Sequence, residues 1–456
     1  MNLETVQLSP RVSQGDEWSK CLWVVNEMKK ILVIVLALVL LVPVIASVQL
    51  AQPAAGEVLQ SDEGRTTAPN VTQSEQALLV EGNSAFAFKL YQALKGKGGN
   101  LFYSPYSISL ALAMTYAGAS DETAQQMAAT LHFMLGQDKL HPAFNWLDAE
   151  LAKRGEGAQG KDGKGFRLNI ANDIWGQKGY EFLPAFLDVL AENYGAGLRI
   201  LDFITDEEKS RRTINDWISY KTEGCIENLI PPGAIDSLTR LVLTNAIYFN
   251  AAWEYPFDKK MTANGPFYLL DGGQVTAPMM KQAESFGYTE GEGYQAVELP
   301  YDGGELSMVI LLPASGNFEA FEGGIQAQQV SDIISDLQST RVTLTMPQFK
   351  FESQFSLKDT LTGMGMRDAF SPDDADFSGM TGNPELFISD VVHKAFVAVD
   401  EAGTEAAAAT AVIVGTTSVP TEPPVEVTID RPFIFLIRDI DTGAILFVGR
   451  VLNPAP

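Results

Sequence analysis

Residues 400–410 read DEAGTEAAAAT, and this stretch decides how the rest of the chain is understood. It holds a glycine at 403, threonines at 404 and 410, and an unbroken alanine run between 406 and 409. A core strand is rarely so short of bulk, and an ordinary exposed loop has no use for consecutive alanines. The composition suits a segment that is a loop in one state and a strand threaded into a crowded sheet in another. Alternate residues of a strand share a face. If Thr404 faces inward, so do Ala406, Ala408 and Thr410, all small enough to pass beneath neighbouring strands. Glu405 then faces out and keeps its water. The alanines equally suit one turn of surface helix, because alanine is the best helix former. Locally both readings stay open, and the remainder of the chain chooses between them.

The chain has 456 residues, 46% hydrophobic and 20% charged, with a formal net charge of -25. It is long enough to bury a large core, and its composition is globular. Its acidity and lack of a basic stripe argue against a nucleic-acid partner. Cys21 and Cys225 are its two cysteines. Cys21 lies upstream of a targeting segment, so the mature protein is expected to keep one thiol, read as a small buried core residue. The targeting segment starts at Met28. Lys29 and Lys30 precede an apolar run from Ile31 to Ile45, broken by Pro43, and Val44-Ile45-Ala46 resembles a cleavage site, with Ala51 and Ala55 as further candidates. Residues 28–51 are thus a signal peptide or an anchor, and the protein is expected to be secreted, with anchoring by an uncleaved segment as the alternative. Residues 1–27 are an N-terminal extension, read as a mis-assigned start or a short cytoplasmic tail. Residues 52–73 read as a flexible linker, with a sequon at Asn70-Val71-Thr72. The folded domain is expected over 74–456.

Within it, Leu78 to Leu94 carry helical spacing, and Leu101 to Tyr103 a short strand. Ser104 is placed to cap a helix with Pro105 at its first position, ending near Gly118. Ser120 is placed to cap another, with Asp121 and Glu122 at its positive end. Thr239 to Glu254, TRLVLTNAIYFNAAWE, suits a strand buried on both faces. Other strand-like runs are Phe166 to Gly176, Gln295 to Pro300, Leu306 to Leu312, Val342 to Met346, Ala395 to Val399, Val425 to Ile437 and Ile445 to Leu452. Helices dominate the first half and strands the second, which points to an α+β fold.

Catalytic chemistry is sparse. The histidines are His132, His141 and His393, and no CxxC or HExxH spacing exists, so neither a metal nor a cofactor is expected. There is no GxSxG elbow. Ser104 or Ser107 with His393 would make a nucleophile and base. Against this, Ser104 is committed to a helix cap, and His393 lies in the apolar run VVHKAFVAV, where a hydrogen-bonded core histidine is the better reading.

Several separated segments, in order over 74–456, resemble the serpin family of protease inhibitors. They are Asn100 to Met114 (NLFYSPYSISLALAM), LTNAIYFNAAWE, Leu386 to Thr410 (LFISDVVHKAFVAVDEAGTEAAAAT), Val427 to Asp439 (VTIDRPFIFLIRD) and Leu446 to Pro454 (LFVGRVLNP). The resemblance implies a serpin fold of three β-sheets and about nine helices with an exposed reactive loop. It implies a hinge at Glu401, Gly403, Thr404, Glu405, Ala406, Ala407, Ala408, Ala409 and Thr410. It places Ser104, Ser107, Asn245 and His393 in a hydrogen-bonded shutter under the central sheet, and Trp253 in the breach where the loop first inserts. Serpins often have a basic residue after the Pro347 position to pair with the acidic Glu401 position. Gln348 stands there, which puts that salt bridge in doubt. The implied reactive bond is Thr417–Ser418, within Val414 to Ser418. Small residues there suit an elastase-like or subtilisin-like protease.

The function implied is that of a suicide substrate rather than an enzyme. The partner is a serine protease, or a papain-like cysteine protease, held covalently by a monomeric inhibitor, with no small-molecule substrate. The alternatives are a non-inhibitory serpin (carrier or chaperone-like) and, more distantly, a secreted hydrolase.

Overall fold

Thr72 starts the first helix. Its hydroxyl accepts the Glu75 amide, and the Glu75 carboxylate accepts the Thr72 amide at 2.7 Å, a reciprocal capping box. Helix α1 (Gln73–Leu94) then buries Phe86, Leu90, Tyr91 and Leu94. The computed structural model describes residues 56–156, 158, 166–404 and 423–455.

The stretch expected as a flexible linker carries structure from Gly56 onward. Strand β1 (Glu57–Leu59) pairs antiparallel with β4 (Leu198–Leu201) at the edge of a sheet. Downstream of it, Ser61 Oγ donates to Asp188 Oδ1 at 2.5 Å, and the Thr66 amide to the Glu192 carbonyl at 2.8 Å. Arg65 reaches Asp148 at 2.6 Å and Asn145 at 2.8 Å. The local composition is that of a linker, and these long-range partners order it.

Strand β2 (Leu101–Tyr103) leads into α2 (Pro105–Tyr116). As expected, Ser104 caps α2, its hydroxyl accepting the Ser107 amide at 3.1 Å, with Pro105 in the first turn. Every residue of α2 is buried, and it accordingly carries no charged side chain. Helix α3 (Asp121–Leu131) carries Asp121 and Glu122 in its first turn, but the Ser120 side chain does not cap it and instead meets Ser378 at 3.2 Å.

Two hydrogen-bonded sheets hold the described strands. The first has seven, in the order β1-β4-β3-β5-β13-β12-β11. Its remaining members are β3 (Arg167–Gln177), β5 (Leu241–Ala252), β11 (Phe349–Ser356), β12 (Ile388–Asp400) and β13 (Gly403–Thr404). The second sheet runs β14-β10-β7-β8-β9-β15-β16-β2, with β6 also on β7. Its members are β6 (Ala263–Tyr268), β7 (Gln274–Gly291), β8 (Tyr294–Pro300), β9 (Leu306–Pro313), β10 (Gln338–Pro347), β14 (Val425–Thr428), β15 (Phe433–Asp439) and β16 (Ile445–Val451). Where three sheets were expected, hydrogen bonding joins two of them, because β7 is 18 residues long. Its first part pairs with β6 and its last part with β8, while β10 runs beside the middle. Ten α-helices stand among the described residues. The run expected from Val425 to Ile437 divides into β14 and β15 at Arg431-Pro432, where proline offers no amide to a ladder.

Strand β5 is buried on both faces from Leu241 to Ala251, as its sequence required. One face joins the main core with α2. The other meets a smaller cluster of Trp175, Trp217, Ile218, Ile230 and Val392 beneath the helix Glu207–Lys221. Trp217 Nε1 donates to Asp173 on β3 at 2.5 Å, and Arg199 on β4 pairs with the same carboxylate at 2.6 Å. Cys225, expected in the core, is half-buried.

Candidate functional site at the seam of the central sheet

Strands β5 and β12 are parallel neighbours, paired from Leu241–Ile388 to Ile247–Ala395. Beyond that level they part, and β13 lies between them, antiparallel to both. Gly403 stands opposite Ala252 and Asp400, and Thr404 opposite Ala251 and Val399. Two of the residues expected to form the hinge are therefore already a strand of the sheet.

Each side chain at this upper level has a local reason. A Cβ on Gly403 would lie 2.1 Å from the Ala251 carbonyl oxygen and 2.7 Å from Ala252 Cα, so only glycine fits. Thr404 is 1% exposed, and its Oγ1 is 2.8 Å from the Tyr301 hydroxyl. The Tyr301 ring stacks on Trp253 at 4.6 Å between centroids. Trp253 in turn holds the turn before β13. Its amide donates to the Ala402 carbonyl at 2.9 Å and its indole Nε1 to the Asp400 carbonyl at 3.0 Å. Glu401 is buried, and its Oε1 accepts the Thr262 hydroxyl at 2.7 Å. Thr262 thus serves where a basic partner was in doubt, while the Gln348 amide donates to the Pro278 carbonyl at 2.8 Å.

The lower level is a buried polar knot that ties α2 to β3, β5 and β12. Asn245 and His393 are register partners across the seam. Asn245 Nδ2 donates to Ser107 Oγ at 2.7 Å and to Asn172 Oδ1 at 2.6 Å, which fixes the orientation of its amide. Its Oδ1 then accepts from His393 Nδ1. On the other side of the ring, Nε2 accepts the Ser104 amide at 3.3 Å. His393 is therefore the neutral Nδ1–H tautomer, and burial pushes its pKa down to about 3. The Ser107 hydroxyl donates to Asn172 Oδ1 at 3.0 Å, and Asn172 Nδ2 returns a bond to the Ser107 carbonyl at 3.0 Å.

This arrangement does not suit a nucleophile and base. The imidazole meets the Ser104 amide rather than its hydroxyl, which caps α2, and the Ser107 hydroxyl is spent on Asn172. The geometry brings together Ser104, Ser107, Asn245 and His393 at one level, and Trp253, Glu401, Gly403 and Thr404 at the other. Glu405 to Thr410 and Thr417–Ser418 lie outside the described residues. Sequence reasoning missed Asn172, Thr262 and Tyr301. An asparagine in the run LNIANDIW is a visible signal, since a polar residue in a buried strand needs a partner. Tyr301 and Thr262 carry no local mark; only the packing of distant strands gives them a role.

A family model described as serpin (serine protease inhibitor) matches residues 81–454. Leukocyte elastase inhibitor A of Mus musculus is 42% identical over 82% of this chain and 99% of its own length. An uncharacterised serpin-like protein of Thermococcus kodakarensis is 39% identical over 84% of this chain and 87% of its own. Among solved structures, the thermophilic serpin tengpin in its native state superimposes with a TM-score of 0.75 at 29% identity, covering 87% of this chain and 97% of that one. Uncleaved ovalbumin superimposes with a TM-score of 0.73 at 28% identity, covering 82% of this chain and 100% of that one.

Proposed function

The chain belongs to the serpin family, and from that premise we propose that it is a suicide inhibitor of serine-type endopeptidases. One observation carries the reading: β13 already sits antiparallel between β5 and β12. Each further step along the loop is one step back along both neighbours. In that register Ala406 would meet Phe249 and Val397, Ala408 would meet Ile247 and Ala395, and Thr410 would meet Asn245 and His393. The inward positions carry only small, uncharged side chains, and Glu405 falls on the outward set.

In the proposed mechanism a protease attacks the loop near Thr417–Ser418 as a substrate and forms an acyl-enzyme. The cut frees the hinge, which inserts as a full strand; loop insertion of this kind is a known form of segment switching. The energetics favour it. A parallel pair, the less stable kind per residue, is exchanged for two antiparallel ladders. About ten added ladder bonds at roughly 1 kcal/mol net each rival the stability of a whole domain. The inserted strand drags the acylated protease across the molecule and distorts its oxyanion hole, which deacylation needs. The uncut protein is then a kinetic trap rather than a free-energy minimum.

The small residues between Ala411 and Pro420 suit an elastase-like or subtilisin-like pocket, and a relative named for leukocyte elastase supports that class. The proposal includes export, with residues 28–51 as the signal; N-terminal sequencing of the mature protein tests that part.

Incubation with elastase, subtilisin and a papain-like protease, resolved on a denaturing gel, tests the whole. A covalent high-mass band with at least one protease is the expected result. Clipped chain alone would mark a non-inhibitory serpin, and turnover of an ester substrate a hydrolase. The clipped chain should also melt well above the intact one.

A further inference from the structure

Tyr301 lies just beyond β8 and is joined to Trp253 by an isolated bridge. It is 1% exposed, stacked on Trp253 and edge-on to Phe249 at 5.2 Å. Its hydroxyl meets Thr404 Oγ1 at 2.8 Å, and either oxygen can donate. Burial holds the phenol far above its ordinary pKa, so it stays neutral. Both hydroxyls sit where water does not reach. Withdrawing Thr404 from the sheet therefore strands the Tyr301 hydroxyl, and a stranded buried donor costs more than an average hydrogen bond contributes.

Gly403 explains why the backbone can lie this close to β5, but it has no side chain to keep it there. The Trp253 bonds grip Asp400 and Ala402, which precede the strand. Among the described residues, the Tyr301 hydroxyl is the side-chain group that hydrogen-bonds a side chain of the inserted strand itself.

We propose that Tyr301 is the seat of the hinge: its hydroxyl holds Thr404 between β5 and β12 and sets how much of the loop is inserted before a protease arrives. This rests on the loop-insertion reading above and deepens it. A seated hinge starts insertion with its first two ladder positions made, past the costly first step. Without the seat, insertion starts later in its race against deacylation, and more inhibitor is lost as clipped chain. Tyr301 acts here as a positioning residue, through Thr404.

The test is hydrogen exchange on the uncleaved full chain, followed over the fragment spanning Asp400 to Thr404. Tyr301→Phe keeps the ring stack and removes only the hydroxyl. Its Gly403 and Thr404 amides should exchange about fivefold to tenfold faster, as expected for one lost buried bond, while β9 stays unchanged. Thr404→Val should reproduce the acceleration, and Thr404→Ser, which keeps a hydroxyl, should not. If Tyr301→Phe folds poorly, the valine and serine pair makes the same comparison without touching the ring. Unchanged exchange in Tyr301→Phe or in Thr404→Val overturns the proposal. Because exchange needs no protease, the two readings fail separately. Faster exchange with no covalent complex from any form of the chain sinks the inhibitor and leaves the seat. Covalent complex with unchanged exchange sinks the seat alone.

Discussion

His393 donates through Nδ1 to the Oδ1 of Asn245, its direct register partner on the neighbouring strand. The bond crosses the seam between β12 and β5, which any inserted strand has to open. If the proposed insertion continues the register of Gly403 and Thr404, the residue to arrive at this level would be Thr410. A threonine brings a hydroxyl that can donate and accept, so it can take over from both partners. Under the proposed mechanism the knot would act as a clasp on the uncleaved state that the loop replaces.

Removing the ring in His393→Ala leaves Asn245 Oδ1 and the Ser104 amide unpaired in a cavity of imidazole size. A loss of about 3–5 kcal/mol is expected. Denaturant unfolding checks the magnitude. Loss of inhibitory activity on prolonged incubation, faster than for the unsubstituted chain, checks that the clasp holds the seam shut.

Acid should weaken the fold through the same residue. Burial lowers His393 to about 3 and His141 to about 4, against 6.5 for an unperturbed histidine. A group whose folded pKa is depressed contributes stability that is complete above the unfolded value and is lost as pH falls toward the folded one. The window is therefore pH 6.5 down to about 3–4. From pH 6.5 to 5 the two histidines together should cost about 3 kcal/mol. Burial raises the carboxyls of Asp173 and Asp390, which work in the opposite sense. The diagnostic is therefore the difference between chains: His393→Gln should lose about half of the histidine contribution in unfolding curves at the two pH values.

Gly403→Ala places a methyl against the Ala251 carbonyl oxygen at 2.1 Å. Backbone has to move or the hinge has to leave the sheet, and overpacking of this kind costs about 1–3 kcal/mol. At roughly tenfold per 1.4 kcal/mol, the ratio of clipped to covalently trapped chain should rise about tenfold or more. Densitometry of the denaturing gel measures it, and a native ratio would mean the hinge does not need this site.

Thr404→Arg forces an unpaired guanidinium into a position that is 1% exposed. The penalty for a buried, unpaired charge is several kcal/mol, so insertion should stall and the inhibitor become a substrate. Titration against elastase, counting moles of inhibitor consumed per mole of enzyme silenced, gives the answer. Unimpaired stoichiometry in that variant would count against insertion as the mechanism.

Much of this was legible from residue order. Side-chain volume and strand period are local properties, so the inward Thr404, the Ser104-Pro105 cap and the doubly buried β5 could all be read before any contact was known. The resemblance then located Ser104, Ser107, Asn245, His393 and Trp253, and the structure brings them together at two levels of one seam. The run of β7 past its first partner and the order of the stretch read as a linker were not legible in this way. A sheet boundary depends on how far a strand such as β7 runs past its first partner. The order of Gly56 to Val71 depends on partners such as Asp148 and Asp188.

By itself the sequence determined the small bulk and the charge pattern of residues 403–410, because those are matters of composition and alternation. Tertiary structure alone decided that Gly403 and Thr404 already lie between β5 and β12, and that Tyr301 and Asn172 join the site. Those facts depend on register between strands that lie far apart in the chain, and register is set by the packing of the whole sheet rather than by any segment within it.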